Sequence, residues 1–153
     1  MLSVPKEFTP ALLGWYEKNA RILPWREDPQ PYKVWISEIM LQQTRVEAVK
    51  PYYERFLKEL PDLTSLADAE EDVLLKLWEG LGYYNRVRNL QKAAKQALAE
   101  YGGLPSSAEE LMKLPGIGPY TAGAIASIAF GEPVPAVDGN VMRVMTRILA
   151  YKE

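Results

Sequence analysis

The sequence predicts an all-α fold built from many short helices, and three observations carry that prediction. Apolar residues in the long segments recur at helical spacing. No segment shows the period-two alternation with β-branched enrichment that marks a half-buried strand. Capping residues and stopping glycines recur along the 153-residue chain, which is long enough for one domain with a real core.

The elements follow in order. Thr9-Pro10 reads as an N-cap and first-turn proline opening an amphipathic helix through about Asn19. Residues 21–30, with Pro24 and Pro29, read as loop. Tyr32 to Gln43 reads as a mostly apolar helix. Thr44 followed by Glu47 has the capping-box pattern for the next helix, with Pro51 early in it or kinking it. Glu70 to Glu79 is predicted helical, stopping at Gly80. Tyr84 to Tyr101 is a strong helix ended by Gly102-Gly103. Ser106 and Glu109 form a second capping-box pattern before a short helix ending near Leu114. Tyr120 to Phe130 is uncharged and small, hence a buried helix, with Gly131 as its stop. Asp138 caps a last helix to about Ala150.

Composition excludes several chemistries. The chain has no cysteine and no histidine, so it has no disulfide, thiolate nucleophile, Ser-His-Asp triad or usual zinc site. Carboxylates become the favoured catalytic groups. Lys6 and Glu7 interrupt any leader-like apolar run, and no stretch is long enough to span a bilayer, so a cytoplasmic protein without a membrane role is expected. Net charge is −2, yet Asp62 to Glu79 is acidic, while Arg86, Arg88, Lys92 and Lys95 form one basic run and Arg143, Arg147 and Lys152 another. Such runs either meet phosphates or are solvated helix faces.

Four motifs carry chemistry. Leu114-Pro-Gly-Ile-Gly-Pro-Tyr120 is a tight turn at a helix start, with Gly116, Ile117 and Gly118 at its centre and Thr121 just inside the helix. Such a turn accepts an anion such as a DNA phosphate, or is simply an interhelical turn. Glu38 lies among Trp35, Ile39 and Leu41. A carboxyl group in apolar surroundings holds its proton toward neutrality and suits a general acid, whereas a solvated Glu is the bland alternative. Asp138 at a helix N-terminus is stabilised as the anion, or is an N-cap, or both. Leu81, Gly82, Tyr83 and Tyr84 put aromatics on a glycine-rich turn before a basic helix, suited to base stacking or else to a helix end with core tyrosines.

Five segments in order and spacing, LPWR (23–26), PYKVWISEIMLQQT (31–44), WEGLGYYNRVRNL (78–90), LPGIGPYTAGAI (114–125) and VDGNVMRV (137–144), together resemble the MutY family of adenine DNA glycosylases. That family belongs to the helix-hairpin-helix glycosylases, alongside endonuclease III. The resemblance implies a six-helix barrel over about residues 25–134, with residues 1–24 and 135–153 belonging to a second helical subdomain and the active site between the two. It implies that Glu38 protonates adenine, that Asp138 stabilises the positively charged sugar, and that Asn140 supports that carboxylate. Trp25, Arg26, Leu41 and Tyr120 are implied to line the adenine pocket, and Gln42, Gln43, Thr44 and Tyr83 to lie near the lesion and the gap left by the flipped base. Tyr120 stands where bifunctional relatives carry a Schiff-base lysine, so a monofunctional, monomeric enzyme acting on duplex DNA with an adenine mispair is expected. The family continues with further helices, four cysteines holding a 4Fe–4S cluster, and a Nudix-like domain that recognises 8-oxoguanine. None of these occurs by Glu153, so a partial chain is expected, with no cofactor ligated by its own residues. A thymine or uracil mismatch glycosylase, a DNA-binding module without catalysis and an all-α interaction domain are the competing readings. Glu38 and Asp138 together disfavour the second, since binding alone needs neither.

Overall fold

The computed structural model describes residues 3–151, and among these the regular structure is entirely helical: α1 (Phe8–Asn19), α2 (Pro24–Glu27), α3 (Pro31–Leu41), α4 (Val46–Glu59), α5 (Leu63–Asp68), α6 (Glu71–Trp78), α7 (Asn85–Tyr101), α8 (Ala108–Leu111), α9 (Pro119–Phe130) and α10 (Gly139–Ile148). Lys152 of the second basic run lies outside the described residues. No described helix is long and apolar enough to cross a membrane.

The chain divides into two units, one made of Pro24–Ala136 and the other of Met1–Leu23 with Val137–Glu153. In the larger unit α3 packs against α9 and α4, α5 and α6 pack on α7, α6 also meets α4, and α8 packs on α9. Trp35, Ile36 and Met40 of α3, Phe56 of α4, Trp78 of α6, Leu90 of α7 and Ile125 of α9 are fully buried. The Phe56 and Trp78 rings meet edge to face, 6.1 Å apart. In α9 small side chains allow close approach. A Cβ added at Gly123 would stand 2.1 Å from the Pro135 carbonyl oxygen, so the segment after α9 crosses the helix where only glycine fits. In the smaller unit neither α1 nor α10 buries a side chain.

Several local expectations hold. Gly102 and Gly131 end α7 and α9 in the left-handed conformation, and Asp138 caps α10 by accepting from the Val141 N–H at 2.8 Å. Others need correction. Thr9 caps nothing: α1 starts two residues earlier, at Phe8 after Glu7, which leaves Pro10 in the first turn where its missing N–H is harmless. The Thr44–Glu47 box does not form. Thr44 Oγ1 donates weakly to the Gln42 carbonyl (3.4 Å), Arg45 is the extended residue before α4, and Glu47 pairs with Lys50. Pro51 sits in the interior of α4, which runs on through it. The cap of α8 is Ser107 rather than Ser106, its hydroxyl accepting from the Glu110 N–H, while the Glu132 carboxylate takes the Ala108 N–H at 2.9 Å. Residues 21–30 are not all loop, since α2 forms there, and α3 stops at Leu41, two residues short of its expected end.

Candidate active site

Glu38 is half-buried on α3 and is the only acid of that helix. Helical spacing gives it Val34, Trp35, Leu41 and Gln42 as same-face neighbours, and the first two are buried to 2% and 0% exposure. The neighbouring Ser37 hydroxyl is satisfied by the Val34 carbonyl at 2.8 Å. Glu38 therefore emerges half-buried from a helix with six buried residues, one turn after buried Val34 and Trp35.

Past Glu38 the chain leaves α3 in an unusual way. Gln43 takes a left-handed conformation (φ 59°), and so does Tyr83 (φ 49°) on the turn between α6 and α7. Non-glycine residues seldom adopt this region, and strain of this kind collects at functional sites. The two turns face one recess of about 370 Å³, walled by Gln42, Gln43, Tyr83, Tyr84, Arg86 and others. Gln43 is exposed, Thr44 is half-buried, and the Tyr83 ring is 67% exposed, so Tyr83 is no core tyrosine. Leu81 is buried beneath this turn and Gly82 is half-buried.

Arg86 ties the two turns together. Its Nη1 donates to the carbonyls of Ile39 (2.8 Å) and Gln42 (2.6 Å), with Met40 at 3.4 Å, and Nη2 to those of Leu81 and Gly82 at 3.3 Å. Its guanidinium also lies 5.2 Å from the Trp78 ring centre and 5.8 Å from that of Tyr83. Partial burial pushes its pKa down from the ordinary arginine value, opposed by Tyr83. The first basic run is therefore not one face: Arg86 is a structural clamp, Arg88 pairs with Glu71 at 2.8 Å, and Lys92 and Lys95 are exposed.

Between α8 and α9 the Leu114–Gly118 turn is pinned inward by Leu114 and Ile117, both buried, with the Ile117 N–H bonded to the Leu114 carbonyl. Gly116 and Gly118 face outward, and they differ. Gly116 has φ +77° and Asn89 3.0 Å from a would-be Cβ, so the fold itself requires glycine. Gly118 has ordinary backbone and open space at its Cβ position, and as N-cap it brings no side chain over the first turn of α9. No side chain caps that first turn, which follows exposed Gly118 and carries exposed Pro119, half-buried Tyr120 and buried Thr121; an uncapped helix N-terminus is a feature that can take up phosphate.

On α10 the half-buried Asp138 uses both carboxylate oxygens: Oδ1 accepts from Val141 N–H, and Oδ2 from the Asn140 amide at 3.3 Å. Asn140 in turn accepts from Arg143 at 3.3 Å. Trp25 is buried edge-on against Tyr53, 5.4 Å between rings, while Arg26 is exposed and Leu41 half-buried at the end of α3. The residues present do not fit an iron–sulfur cluster. The sequence holds no cysteine, and among the described residues no three acidic, histidine or cysteine side chains converge.

The geometry has close counterparts among known proteins. Residues 36–153 match the family described as HhH-GPD superfamily base excision DNA repair protein. The chain is 48% identical to the adenine DNA glycosylase of Mus musculus, over 94% of this chain and 30% of that protein. It is 49% identical to the adenine DNA glycosylase of Buchnera aphidicola subsp. Baizongia pistaciae, over 92% and 40%. It thus spans less than half the length of either relative. Among solved structures it superposes on a thermostable thymine-DNA glycosylase with TM-score 0.86 at 30% identity, covering 92% of this chain and 66% of that one. It superposes on a trapped covalent endonuclease III–DNA intermediate with TM-score 0.78 at 29% identity, covering 95% and 70%.

Proposed function

The chain belongs to the HhH-GPD superfamily of base excision DNA repair proteins, and from that premise we propose that it is the catalytic part of a monofunctional adenine DNA glycosylase. Its substrate is adenine mispaired with 8-oxoguanine or guanine in duplex DNA, which it engages as a monomer. The observation that carries this reading is Glu38, a lone acid on a helix of buried neighbours, in a chain that shares nearly half its residues with adenine DNA glycosylases from a mammal and a bacterium.

The chemistry is as follows. The Gly116–Gly118 turn and the first turn of α9 grip backbone phosphate, and the adenine leaves the stack. Tyr83 and Gln43 occupy the helix where the base was, with Gln42 and Thr44 beside them. Trp25, Arg26, Leu41 and Tyr120 receive the flipped base. Glu38 gives its proton to adenine N7. The bond between the sugar C1′ and N9 then breaks, its electron pair leaving with the neutral base. The cationic sugar is stabilised by the Asp138 carboxylate, which Asn140 and the Val141 N–H hold in place. Water adds at C1′ and loses a proton. Tyr120 has no amine, so no imine forms with the opened sugar and the strand is not cut.

Single-turnover excision tests this. Duplexes carrying adenine opposite 8-oxoguanine, adenine opposite guanine and thymine opposite guanine are compared with wild type and Glu38→Gln. Adenine should be released from the first two, and the Gln variant should lose on the order of a thousandfold in rate with duplex affinity within about twofold. Release of thymine in preference to adenine would favour the thymine enzyme, and an active Glu38→Gln would remove Glu38 as the acid.

A further inference from the structure

The turn that carries Tyr83 is held at both ends, and one of its anchors comes from a helix outside it. Tyr52, half-buried on α4, donates its hydroxyl to the Glu79 carbonyl at 2.8 Å, across 27 residues of sequence. The approach is close: Gly80, the next residue, has φ +97°, and a Cβ there would run into the Tyr52 hydroxyl. The Arg55 guanidinium lies 4.8 Å from the centre of the Tyr52 ring. At the far end of the turn the Trp78 Nε1–H donates to the Gly82 carbonyl at 3.1 Å, and Arg86 holds those of Leu81 and Gly82. Trp78 and Arg86 belong to the helices that flank the turn, whereas Tyr52 reaches it from α4. Glu79, Leu81 and Gly82 thus each give a carbonyl to a side chain just before the backbone turns left-handed at Tyr83. A non-glycine residue stays in that conformation only where its surroundings over-determine it.

We propose that Tyr52 is a positioning residue for Tyr83, its hydroxyl fixing the start of the turn so that the exposed Tyr83 ring can be pressed into the base stack. This role depends on the function proposed above, in which Tyr83 fills the gap left by the flipped adenine. Opening the stack costs free energy, and the side chain that enters it must be backed by a frame that does not give way. Without the Tyr52 hydroxyl the Glu79 carbonyl is released, and the turn is held only at its Leu81 and Gly82 end. Part of the push on Tyr83 is then lost in bending the turn. Binding to an undistorted duplex makes no such demand.

Fluorescence anisotropy tests it, with a duplex carrying adenine opposite 8-oxoguanine and a fully paired counterpart. All proteins carry Glu38→Gln, so that the adenine stays in place. Tyr52→Phe keeps the ring and loses only the hydroxyl. It should lower the preference for the mispair about threefold, within the free energy of one neutral hydrogen bond. Affinity for the paired duplex and the urea midpoint should stay near those of the parent. Tyr83→Ala should lower the preference further, and adding Tyr52→Phe to it should change nothing more, because residues that act through one another are not additive. A purely structural Tyr52 would instead shift the urea midpoint or both affinities, and would act equally with and without Tyr83. An undiminished preference in Tyr52→Phe, or an equal loss in the Tyr83→Ala background, overturns the proposal while leaving Tyr83 as the wedge. A parent with no preference for the mispair, or a Tyr83→Ala variant that keeps it, overturns the wedge and the role of Tyr52 with it.

Discussion

Helices α3 and α10 each carry one of the two carboxylates of interest, and they hold it by opposite means. Glu38 rides on a helix whose Val34, Trp35, Ile36, Ser37, Ile39 and Met40 are all buried, so its placement is inherited from a packed core. Asp138 stands at the head of a helix that buries no side chain, and its placement comes from two hydrogen bonds within its own first turn. Packing is collective and hard to disturb with one exposed substitution. A cap is local, and one atom can remove it. The acid should therefore tolerate changes around it that the second carboxylate would not.

The largest expected effect is on stability in the core. Ile36→Ala should cost about 2–5 kcal/mol in urea unfolding, whereas Val144→Ala on α10 should stay within about 0.5 kcal/mol. Similar costs at the two sites would erase the contrast. Next comes alkali. Burial, aided by Asp28, pushes the Tyr53 phenol up to about 12, and burial with Asp62 nearby raises Tyr32 as well. A folded pKa above the unfolded value of about 10 means that stability is intact below pH 10 and falls as pH rises toward 12, by about 2–3 kcal/mol for Tyr53 alone. Both tyrosines lie in the larger unit, and Tyr53→Phe should flatten the loss. An unchanged pH profile in that variant would contradict it.

A smaller effect separates cap from charge. Asp138→Ala should cost α10 about 1 kcal/mol, seen as faster amide hydrogen exchange, while Asp138→Asn caps about as well and costs little. Excision should fall in both. An Asn variant with native excision would leave Asp138 as a cap alone. Smallest on stability is Gly118→Val, whose side chain enters open space. It should leave melting nearly unchanged and weaken binding to every duplex alike, measured by fluorescence anisotropy. Gly116→Val, strained by its positive φ and by Asn89, should destabilise the fold instead. Altered base preference at unchanged affinity in Gly118→Val would count against phosphate contact there.

Legibility in the sequence followed the same division between local and collective causes. Gly102, Gly131 and Asp138 were readable because the backbone chemistry of one residue decides the helix end. The short helix α5 went unread although Asp62 and Ser65 bond reciprocally as a capping box, because it lies in a run conspicuous for its acids. Thr9, Thr44 and Ser106 showed that a capping residue type does not say where a helix begins: Ser107 caps α8 in place of Ser106, while α1 and α4 begin with no side-chain cap at all. Of the site, Glu38, Asp138 with Asn140, and the hairpin turn stood out as motifs. Arg86 was misread as part of a basic face, although it precedes buried Leu90 by four residues and so belongs to the inward stripe of α7. The left-handed backbone at Gln43 and Tyr83 carries no residue-type signal; the preceding carbonyls, Gln42 from a distant segment and Gly82 from Arg86's own turn, are both held by Arg86.

The Arg86 clamp has a consequence for handling the protein in salt. Phosphate contacts weaken steeply as ionic strength rises, because bound DNA must recapture its counterions. Guanidinium bonds to backbone carbonyls in a partly buried setting are screened far less. On the function proposed, concentrated salt should release duplex DNA while the rim around Gln43 and Tyr83 keeps its shape, so that dilution restores binding without refolding.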